Sequence, residues 1–500
     1  MCGIAGHFSA RPLPEGTGDI LEGQLNTIIH RGPDGNGQFV LREKGVALGH
    51  TRLAINDLEG GHQPLRSHDE RLVLTSNGEF YDFKQYRSTL MAEGDRFRTK
   101  SDSEIAMGLY RKFGLDFTKH LRGEFAFALY DQEADELILI RDRFGVRPLF
   151  YWVAPDLGTI VYGSEAKSVL AHPDVPVKLD RRAALHQLMQ TIAPGMSAFE
   201  NVISLDPGHF LRIRKRGEKL DILTQRYWDF DFPLEEERPR EVDEQEHVER
   251  VREELIRAIV LRLEADVPVG CYLSGGIDSC SILGLATGAM QSPTKAYTIS
   301  FDDDVYDEAP IAREMAESMD ADQEMIHLKA EDLYGENYIK TVWHAERTFY
   351  NTLGVAKNLM SKRVWDSGYR CVITGEGADE LFAGYPALKR DMFLHGLTHE
   401  TDEVRAEYQA ALEKTNRMFK GAILAENQRS HDAWDALCGF TPSWIQPWMD
   451  TLDLARPLLA DDLQDELKEY DPIGEIASRI DQTMLDGRHP LDKAQYTWSK

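Results

Sequence analysis

The sequence predicts a protein of two folded parts, an α+β part rich in strands and an α/β part with a parallel sheet and a helical end. Short strand-like runs bounded by turn residues fill the first 190 residues. From Pro268 onward, buried-strand patterns alternate with helical ones, which favours a parallel sheet with right-handed crossovers. Residues 229–249 are strongly acidic and contain prolines, a composition typical of linkers. We therefore place the domains at 2–200 and 246–500, with a connecting segment over 201–245.

The individual elements follow from the spacing of the apolar residues. In the first part, strands are predicted at 72–75, 125–130, 136–140 and 159–162, with a hairpin loop over 131–135. After the linker, one amphipathic helix is predicted, with an apolar face made of Val248, Val251, Leu255, Ile259 and Leu263. In the second part, strands are predicted at 269–273, 295–300, 324–328 and 370–374, and helices at 308–319 and 355–365. The chain is predicted to be mostly helical after about Pro386.

The composition argues against several classes of protein. A net charge of −27 disfavours nucleic acid or an anionic membrane as the main partner. No run approaches the ~20 apolar residues of a membrane span, and the first residues do not have the pattern of a signal peptide. The cysteines are too few and too scattered for a disulfide framework, which indicates reduced thiols in a cytoplasmic enzyme. They are Cys2, Cys271, Cys280, Cys371 and Cys438.

The start of the chain predicts a nucleophile at Cys2. Because the residue behind Met1 is small, we expect the initiator methionine to be removed. Cys2 would then carry both a thiol and a free α-amine, and an α-amine titrates near pH ~8. An adjacent base is what a sulfur nucleophile needs for activation, so one residue can supply nucleophile and general base.

A second set of residues suits the handling of an amino acid. Asn77 and Gly78 lie next to each other just past a predicted strand, and an amide side chain beside a glycine N–H can stabilise an oxyanion. Arg52 can bind a carboxylate through two parallel hydrogen bonds. Glu79 and Asp102 can pair with an ammonium group. Taken singly, each of these residues also fits an ordinary turn or surface position.

Together with Cys2, these motifs resemble the N-terminal-nucleophile glutamine amidotransferase domain over roughly residues 2–200. The resemblance implies an antiparallel β-sheet sandwich with helices, in which Cys2 attacks the glutamine amide and Asn77 and Gly78 hold the oxyanion. The segments 141–149 and 163–167 also look like this family, whereas Tyr81-Asp-Phe83 departs from its more usual Tyr-Asn-His. The glutamine-binding residues implied by the resemblance are Arg52, Leu53, Ala54, Ile55, Asn77, Gly78, Glu79 and Asp102.

A phosphate-binding loop is predicted at residues 273–279, Leu-Ser-Gly-Gly-Ile-Asp-Ser, between a strand and a helix. Glycines let the backbone approach a phosphate, and hydroxyls, N–H groups and a helix N-terminus favour the anion. The loop is not a Walker A motif, because no Gly-Lys-Ser/Thr closes it. It resembles the pyrophosphate loop of ATP pyrophosphatases, which leave an adenylate and release pyrophosphate.

A second loop, residues 374–385, follows another predicted strand and carries paired acids at Asp379 and Glu380. Magnesium prefers oxygen ligands of this kind. The order of all these motifs resembles glutamine-hydrolysing asparagine synthetase, with the segments 306–308 and 344–346 at further similar positions. The resemblance implies that Glu376 orients or deprotonates the amine nucleophile and that Asp278 and Asp379 bind Mg²⁺. It also implies ATP contacts from Leu273, Ser274, Gly275, Gly276, Asp278, Ser279, Ile299, Thr374 and Gly375.

The function implied is that of an ATP-dependent amidotransferase, which adenylates a carboxylate and amidates it with ammonia from glutamine. The substrate would be aspartate; the alternative is a related biosynthetic enzyme that amidates another carboxylic acid, because fold does not fix substrate. A phosphoribosyl amidotransferase is disfavoured by the pyrophosphate loop. A regulatory scaffold is disfavoured because the chemical groups of both sites are present. A homodimer is compatible with the resemblance.

The end of the chain carries an expectation of its own. Asparagine synthetases usually continue past the segment that resembles residues 496–500, and Lys500 falls inside a predicted helix without a stop signal. We therefore expect either a longer natural chain or a 500-residue protein that is a poor synthetase but keeps its glutaminase activity.

Overall fold

The fold is described from a computed structural model of the chain. The description covers residues 1–239, 242–290, 293–302, 308–349, 351–418, 424 and 428–500.

The N-terminal half contains two six-stranded sheets whose mapped neighbours run antiparallel. The strand order is β10-β8-β9-β1-β3-β2 in the first sheet and β12-β11-β7-β6-β5-β4 in the second. The strands are β1 (Gly3–Ser9), β2 (Gly35–Leu41), β3 (Val46–Arg52), β4 (Leu65–Arg66), β5 (Leu72–Phe80), β6 (Gly123–Asp131), β7 (Glu136–Arg141), β8 (Phe150–Val153), β9 (Thr159–Gly163), β10 (Ile203–Ser204), β11 (His209–Arg216) and β12 (Lys219–Arg226). The last two strands lie within the predicted connecting segment and complete the second sheet.

The two sheets pack face to face, and helices cover their outer faces. On β6, Ala126, Ala128 and Tyr130 point into the core between the sheets, while the alternate residues join a second core under the helices. This alternation follows from the two-residue period of a strand. The antiparallel sandwich implied by the sequence is therefore confirmed. The helices of this half are α1 (Thr17–Asn26), α2 (Phe83–Ala92), α3 (Ile105–Phe113), α4 (Ala166–Leu170) and α5 (Arg181–Met189).

The C-terminal half is built on a four-stranded parallel sheet with the order β15-β14-β13-β16. The strands are β13 (Val269–Tyr272), β14 (Lys295–Phe301), β15 (Asp322–Leu328) and β16 (Cys371–Ile373). All four are at the predicted positions. The helices beside this sheet are α6 (Glu244–Arg262), α7 (Ile277–Met290), α8 (Ala309–Ser318), α9 (Glu336–Ala345) and α10 (Leu353–Asp366).

The remaining chain is helical, as predicted, and forms its own core around the buried Trp434. Leu185 and Met189 of α5 belong to this same core, so the helical end packs against the N-terminal half. Its helices are α11 (Ala378–Phe382), α12 (Pro386–Asp391), α13 (Asp402–Met418), α14 (Asp432–Cys438), α15 (Gln446–Ala455), α16 (Asp461–Glu466), α17 (Pro472–Ser478) and α18 (Pro490–Trp498).

The helix predicted after the linker is present as α6, but its predicted apolar face is buried only near its C-terminal end. Ile259 is 3% exposed, whereas Val248 is 55% exposed. The reason is that only the last turns of α6 reach the core around β13, where Ile259 and Leu263 pack. Within the described residues, no helix is long and apolar enough to cross a membrane. All five cysteines are free thiols.

The two halves meet at a two-point contact between the α6–β13 segment and a loop that follows β3. The N–H of Asp266 donates to the carbonyl of Ile55 at 3.0 Å. In return, the N–H of Asp57 donates to the Asp266 carboxylate at 2.8 Å. This contact fixes the loop after β3 to the segment that leads directly into the central parallel strand.

Candidate functional site

Cys2 lies just before β1 and is held by the loop that follows β3. Its Sγ lies 3.3 Å from the N–H of Leu53, which donates to it, and 3.5 Å from the Leu53 carbonyl. The carbonyl oxygen of Cys2 accepts a hydrogen bond from Arg31 Nε at 3.0 Å. Burial raises the pKa of the Cys2 thiol and lowers the pKa of the α-amine at Met1 to about 5. This amine belongs to Met1, which we expect to be removed, so the general-base role of a free Cys2 α-amine remains a prediction.

Asn77 and Gly78 lie near the end of β5, a strand that packs against β1. Asn77 is 1% exposed, and its side-chain nitrogen has no hydrogen-bond partner within the described chain. A buried amide donor without a hydrogen-bond partner lowers the stability of the folded protein, unless a bound ligand accepts the missing hydrogen bond. At Gly78 a Cβ would lie 2.1 Å from the Glu124 carbonyl oxygen, so only glycine fits beside β6. The oxyanion role of both residues remains a prediction.

Glu79 on β5 and Asp102 form a pair of carboxylates, of which Glu79 is half-buried and Asp102 is buried. Burial, reinforced by the charge of Asp102, raises the pKa of Glu79 well above its usual value. Burial also raises the pKa of Asp102 to about 6, against the hydrogen bond that its Oδ2 accepts from the Phe80 N–H at 2.7 Å. Asn56 Nδ2 donates to Glu79 at 2.5 Å. Two incompletely compensated carboxylates suit a ligand cation such as an α-ammonium group.

Arg52 shapes the loop after β3. Its guanidinium is 6% exposed and donates to the carbonyls of Asn56, Asp57 and Leu58 at 3.3, 2.6 and 3.1 Å. These bonds curl the loop that contains three other predicted glutamine-binding residues, Leu53, Ala54 and Ile55. The predicted contact of Arg52 with a carboxylate remains a prediction, because the structure shows the guanidinium engaged with the loop.

Three charged or polar residues beside this site have roles that sequence reasoning missed. Arg147 donates to Glu124 at 3.3 Å and touches the sulfur of Met1. Its charge opposes the rise that burial causes in the pKa of Cys2. The Tyr81 hydroxyl donates to the same Glu124 at 3.0 Å, and Arg262 of α6 donates to it at 3.1 Å. Arg147 belongs to the 141–149 motif, and that motif was the available signal.

The pyrophosphate-like loop connects β13 to α7, as predicted. The Ser274 N–H donates to the Ser279 hydroxyl at 3.1 Å, and the Gly276 N–H donates to the Ser274 hydroxyl at 3.3 Å. Gly275 has φ +96°, and a Cβ there would lie 2.8 Å from the Glu308 carbonyl oxygen. Glycine at this position therefore allows a turn that other residues would strain.

The second loop, after β16, contacts the first. A Cβ on Gly375 would lie 2.9 Å from the Asp278 Cβ, so the two loops touch. Burial raises the pKa of Asp278, and the charges of Asp379 and Glu380 raise it further. The predicted nucleotide residues Leu273 and Thr374 directly follow β13 and β16, and Ile299 lies within β14, near its end at Phe301. The carboxyl ends of strands form the edge where open α/β sheets bind ligands.

The acidic residues of the two loops fit a magnesium ion. Asp278 and Asp379 offer oxygen ligands, and Mg²⁺ is commonly held by one or two carboxylates together with substrate phosphates. No group of three or more His, Cys, Asp or Glu side chains arranged to hold a metal occurs in the described part of the chain. Burial is the main cause of the raised pKa of Asp278, and the nearby charges of Asp379 and Glu380 add to it; a cation would offset those charges.

The other residues singled out in the C-terminal half are Glu376 and the segments 306–308 and 344–346. Glu376 forms an ion pair with Lys357 of α10, a residue that the sequence patterns did not single out. Tyr306 and Asp307 lie outside the described residues. Glu346 lies at the junction of the two halves, where it contacts the start of α4.

The fold and the two sites define a class of protein, a glutamine amidotransferase domain fused to an ATP-pyrophosphatase-type domain. Residues 1–228 match the family model of a glutamine amidotransferase domain, and residues 250–500 match that of asparagine synthase. The chain belongs to the asparagine synthase family.

Several relatives support this membership. Amidase chry2 of Gibberella zeae is 36% identical over 421 residues, which cover 78% of this chain and 60% of that protein. Amidase chyE of Penicillium rubens is 33% identical over 510 residues, which cover 96% of this chain and 72% of that protein. Asparagine synthetase [glutamine-hydrolyzing] 1 of Bacillus subtilis is 31% identical over 398 residues, which cover 79% of this chain and 60% of that protein. The chain thus spans 60–72% of the length of these relatives.

Proposed function

We propose that this protein uses glutamine and ATP to convert a carboxylic acid into its amide. Cys2 attacks the side-chain amide carbon of glutamine, Asn77 Nδ2 and the Gly78 N–H hold the oxyanion, and ammonia leaves. Water then cleaves the thioester and releases glutamate. The carboxylates of Glu79 and Asp102 bind the α-ammonium group of the glutamine.

In the second half, the carboxylate of the acceptor attacks the α-phosphorus of ATP, pyrophosphate leaves, and the acyl adenylate forms. The loop Ser274–Ser279 holds the phosphates. Asp278 and Asp379 would hold the magnesium ion, which supplies positive charge against the phosphates when it is bound. Ammonia attacks the acyl carbon, Glu376 takes up a proton, and AMP leaves with the amide as the other product.

The observation that supports this proposal best is the position of the two sites on either side of one junction. The loop that holds Cys2 Sγ at Leu53 is fixed at Asp57 to Asp266. Asp266 leads within a few residues into β13 and the pyrophosphate-like loop. A pocket at this junction is lined from both halves, by Asn56, Glu79, Tyr81, Arg262 and Cys371 among others, and suits the passage of ammonia.

For the acceptor, we propose a carboxylic acid of specialised metabolism other than aspartate. The support is the likeness to two fungal proteins named amidases, at 36% and 33% identity, against 31% for the bacterial asparagine synthetase. Aspartate remains the second candidate, supported by the asparagine synthase match over residues 250–500.

Pyrophosphate release across a panel of carboxylic acids, with ammonia supplied, tests the acceptor. We expect a non-aspartate acid to give the highest kcat/KM and AMP to form in equal amount with the amide. Highest activity with aspartate would favour the second candidate. Formation of ADP and inorganic phosphate would contradict the adenylate mechanism.

The two-site proposal is tested by Cys2→Ala. This variant should lose glutamine-dependent amide formation but keep ammonia-dependent formation, because only the release of ammonia needs the thiol. Cys438→Ala, which removes a buried thiol in the helical end, serves as the matched control. Loss of both activities in a folded Cys2→Ala protein would contradict the proposal.

A further inference from the structure

At the junction of the two halves, Glu346 of the C-terminal half binds the start of α4 in the N-terminal half. Its carboxylate accepts hydrogen bonds from the N–H groups of Ala166 and Lys167, both at 2.7 Å, and from Lys167 Nζ at 3.2 Å. Glu346 ends α9 with φ +54°, a left-handed conformation that is uncommon for a residue other than glycine. One side chain thus makes three contacts across the junction from a strained backbone position.

The contact continues inward through a row of buried charges of alternating sign. Lys167 forms an ion pair with Glu165, and Glu165 accepts hydrogen bonds from Arg31 at 2.6 Å and from His30 at 3.1 Å. The side chains of Lys167, Glu165 and Arg31 are 8%, 7% and 8% exposed. Despite burial, the charges and hydrogen bonds of His30, Arg31 and Lys167 lower the pKa of Glu165 to about 2.

This row ends at the predicted nucleophile. Arg31 uses its Nε to bind the carbonyl oxygen of Cys2 at 3.0 Å, while its Nη1 binds Glu165. The guanidinium therefore joins the buried charges to the main chain of the residue whose sulfur must be placed for attack. A planar, always charged group with fixed donors suits this double attachment.

In the other direction, the segment after Glu346 leads to the second site. Thr348 N–H donates to Gln187 of α5 at 2.9 Å, which keeps the segment on the N-terminal half. The chain then enters α10, where Lys357 forms the ion pair with Glu376. In sequence, Glu346 thus precedes the helix that carries Lys357, while its carboxylate contacts α4 of the N-terminal half.

We propose that Glu346 is a positioning residue for glutamine hydrolysis, which acts on Cys2 through Lys167, Glu165 and Arg31. This inference rests on the proposed function of Cys2. Removing the Glu346 charge leaves an excess positive charge in a buried network, and such networks lose more than one contact when one member is removed. Lys167 would then compete with Arg31 for Glu165, and the hold on the Cys2 carbonyl would loosen.

The test compares Glu346→Gln with Asp462→Asn in the full chain. Asp462 binds Arg181 of α5 and also joins the two halves, but through an exposed ion pair outside the buried network. We expect Glu346→Gln to lower kcat for glutamine hydrolysis by roughly 10–100-fold, since small misplacements of reacting groups have effects of this size. Pyrophosphate release with ammonia should stay within about twofold of the unchanged protein in both variants.

Alkylation of Cys2 by a glutamine-like electrophile gives a second readout. Its rate should fall with Glu346→Gln and not with Asp462→Asn. A double-mutant cycle with Lys167→Met should be strongly non-additive, because both changes break one connected network. If Glu346→Gln fails to fold, Glu346→Asp keeps the charge, shortens the side chain by one methylene and should show a smaller fall in kcat.

Two negative outcomes are distinguishable. Glutamine hydrolysis that is unaffected by Glu346→Gln, or lowered equally by Asp462→Asn, would overturn this inference and leave the proposed function intact. An unchanged protein that hydrolyses no glutamine would overturn the proposed function and this inference together.

Discussion

At the scale of single residues, Asn77 and Gly78 are neighbours on β5 with different physical requirements. Gly78 is required by space, because β6 leaves no room for a Cβ. At Asn77 the predicted requirement is chemical, because its buried side-chain nitrogen has no partner within the described chain and can donate to a ligand.

We therefore expect Asn77→Ala to lower the kcat of glutamine hydrolysis by roughly 10²–10³-fold, the usual effect of losing one oxyanion donor. Steady-state kinetics of glutamate release measure this. Asn36→Ala, which changes an exposed asparagine on β2, is the matched control and should have little effect. A change below about threefold for Asn77→Ala would mean that this residue is only structural.

Asp278 and Asp379 are expected to act only in the second half. Asp278→Ala or Asp379→Ala should lower pyrophosphate release by roughly 10²-fold or more. Each change removes a ligand of the magnesium ion that is proposed to offset the charge of the ATP phosphates. Glutamine hydrolysis should persist in both variants. Asp366→Asn, at an exposed pair with Lys362 on α10, is the control. ATP turnover equal to that of the unchanged protein would contradict the metal assignment.

At the scale of elements, α12 is fastened to the helical end by Asp391. Its two carboxylate oxygens accept hydrogen bonds from the Ser443 N–H, both at 3.0 Å. Burial nevertheless raises the pKa of Asp391 to about 7, so the folded protein holds a proton that the unfolded chain releases near pH ~4. Because the pKa of Asp391 is higher in the folded protein, its protonation adds to the free energy of unfolding at low pH. This contribution is lost as the pH rises from the unfolded value of ~4 through about 7.

Asp391→Asn should remove this pH dependence. The unfolding midpoint is measured for both proteins at pH ~5 and pH ~8, and the difference, unchanged protein minus variant, should be larger at pH ~5. The corresponding difference in the free energy of unfolding should change by at most about 1.4 kcal/mol per pH unit. Asp465→Asn, at an exposed acid of α16, should show no such difference. A midpoint difference that is constant with pH would show that Asp391 does not titrate in this range.

Elements were predictable where a run of apolar residues was long enough to show its period. The strands β5, β6, β7 and β9 and the four parallel strands were found in this way. β1 was missed because it contains Gly3 and Gly6, which weaken a strand pattern. The structure shows why residue 6 is a glycine, since a Cβ at Gly6 would lie 2.3 Å from the Ala47 carbonyl oxygen. A close approach of two backbones leaves no signal in the apolar spacing.

The site was predictable where one motif carried the chemistry, as at Cys2 and in the loop Ser274–Ser279. It was not predictable where the partner is distant in the chain. Arg147 and Glu346 lie in segments that the sequence patterns singled out, and Lys357 does not, but none of the three could be assigned its partner from the sequence. Only the fold brings Glu346 to Lys167, 179 positions away.

At the scale of the whole molecule, a pocket lined by residues of both halves lies beside Glu79, and the proposed function predicts that ammonia crosses between the halves without entering solution. A mixture of Cys2→Ala and Asp278→Ala proteins separates the two steps onto different molecules. With an enzymatic ammonia scavenger present, the mixture should form no amide from glutamine, whereas the unchanged protein should keep most of its activity. Without the scavenger, the mixture should recover synthesis slowly. Equal suppression of the unchanged protein would mean that ammonia passes through solution.

The reciprocal contact between Asp266 and the backbone of Ile55 and Asp57 has an evolutionary consequence. Such a contact limits which halves can be recombined, because a glutaminase half taken from another lineage would bring a loop shaped for a different partner. New members of the family should therefore arise by divergence of the intact pair more readily than by shuffling of its halves. In such lineages, insertions or deletions in the loop at 55–57 should be inherited together with changes in the segment that precedes β13.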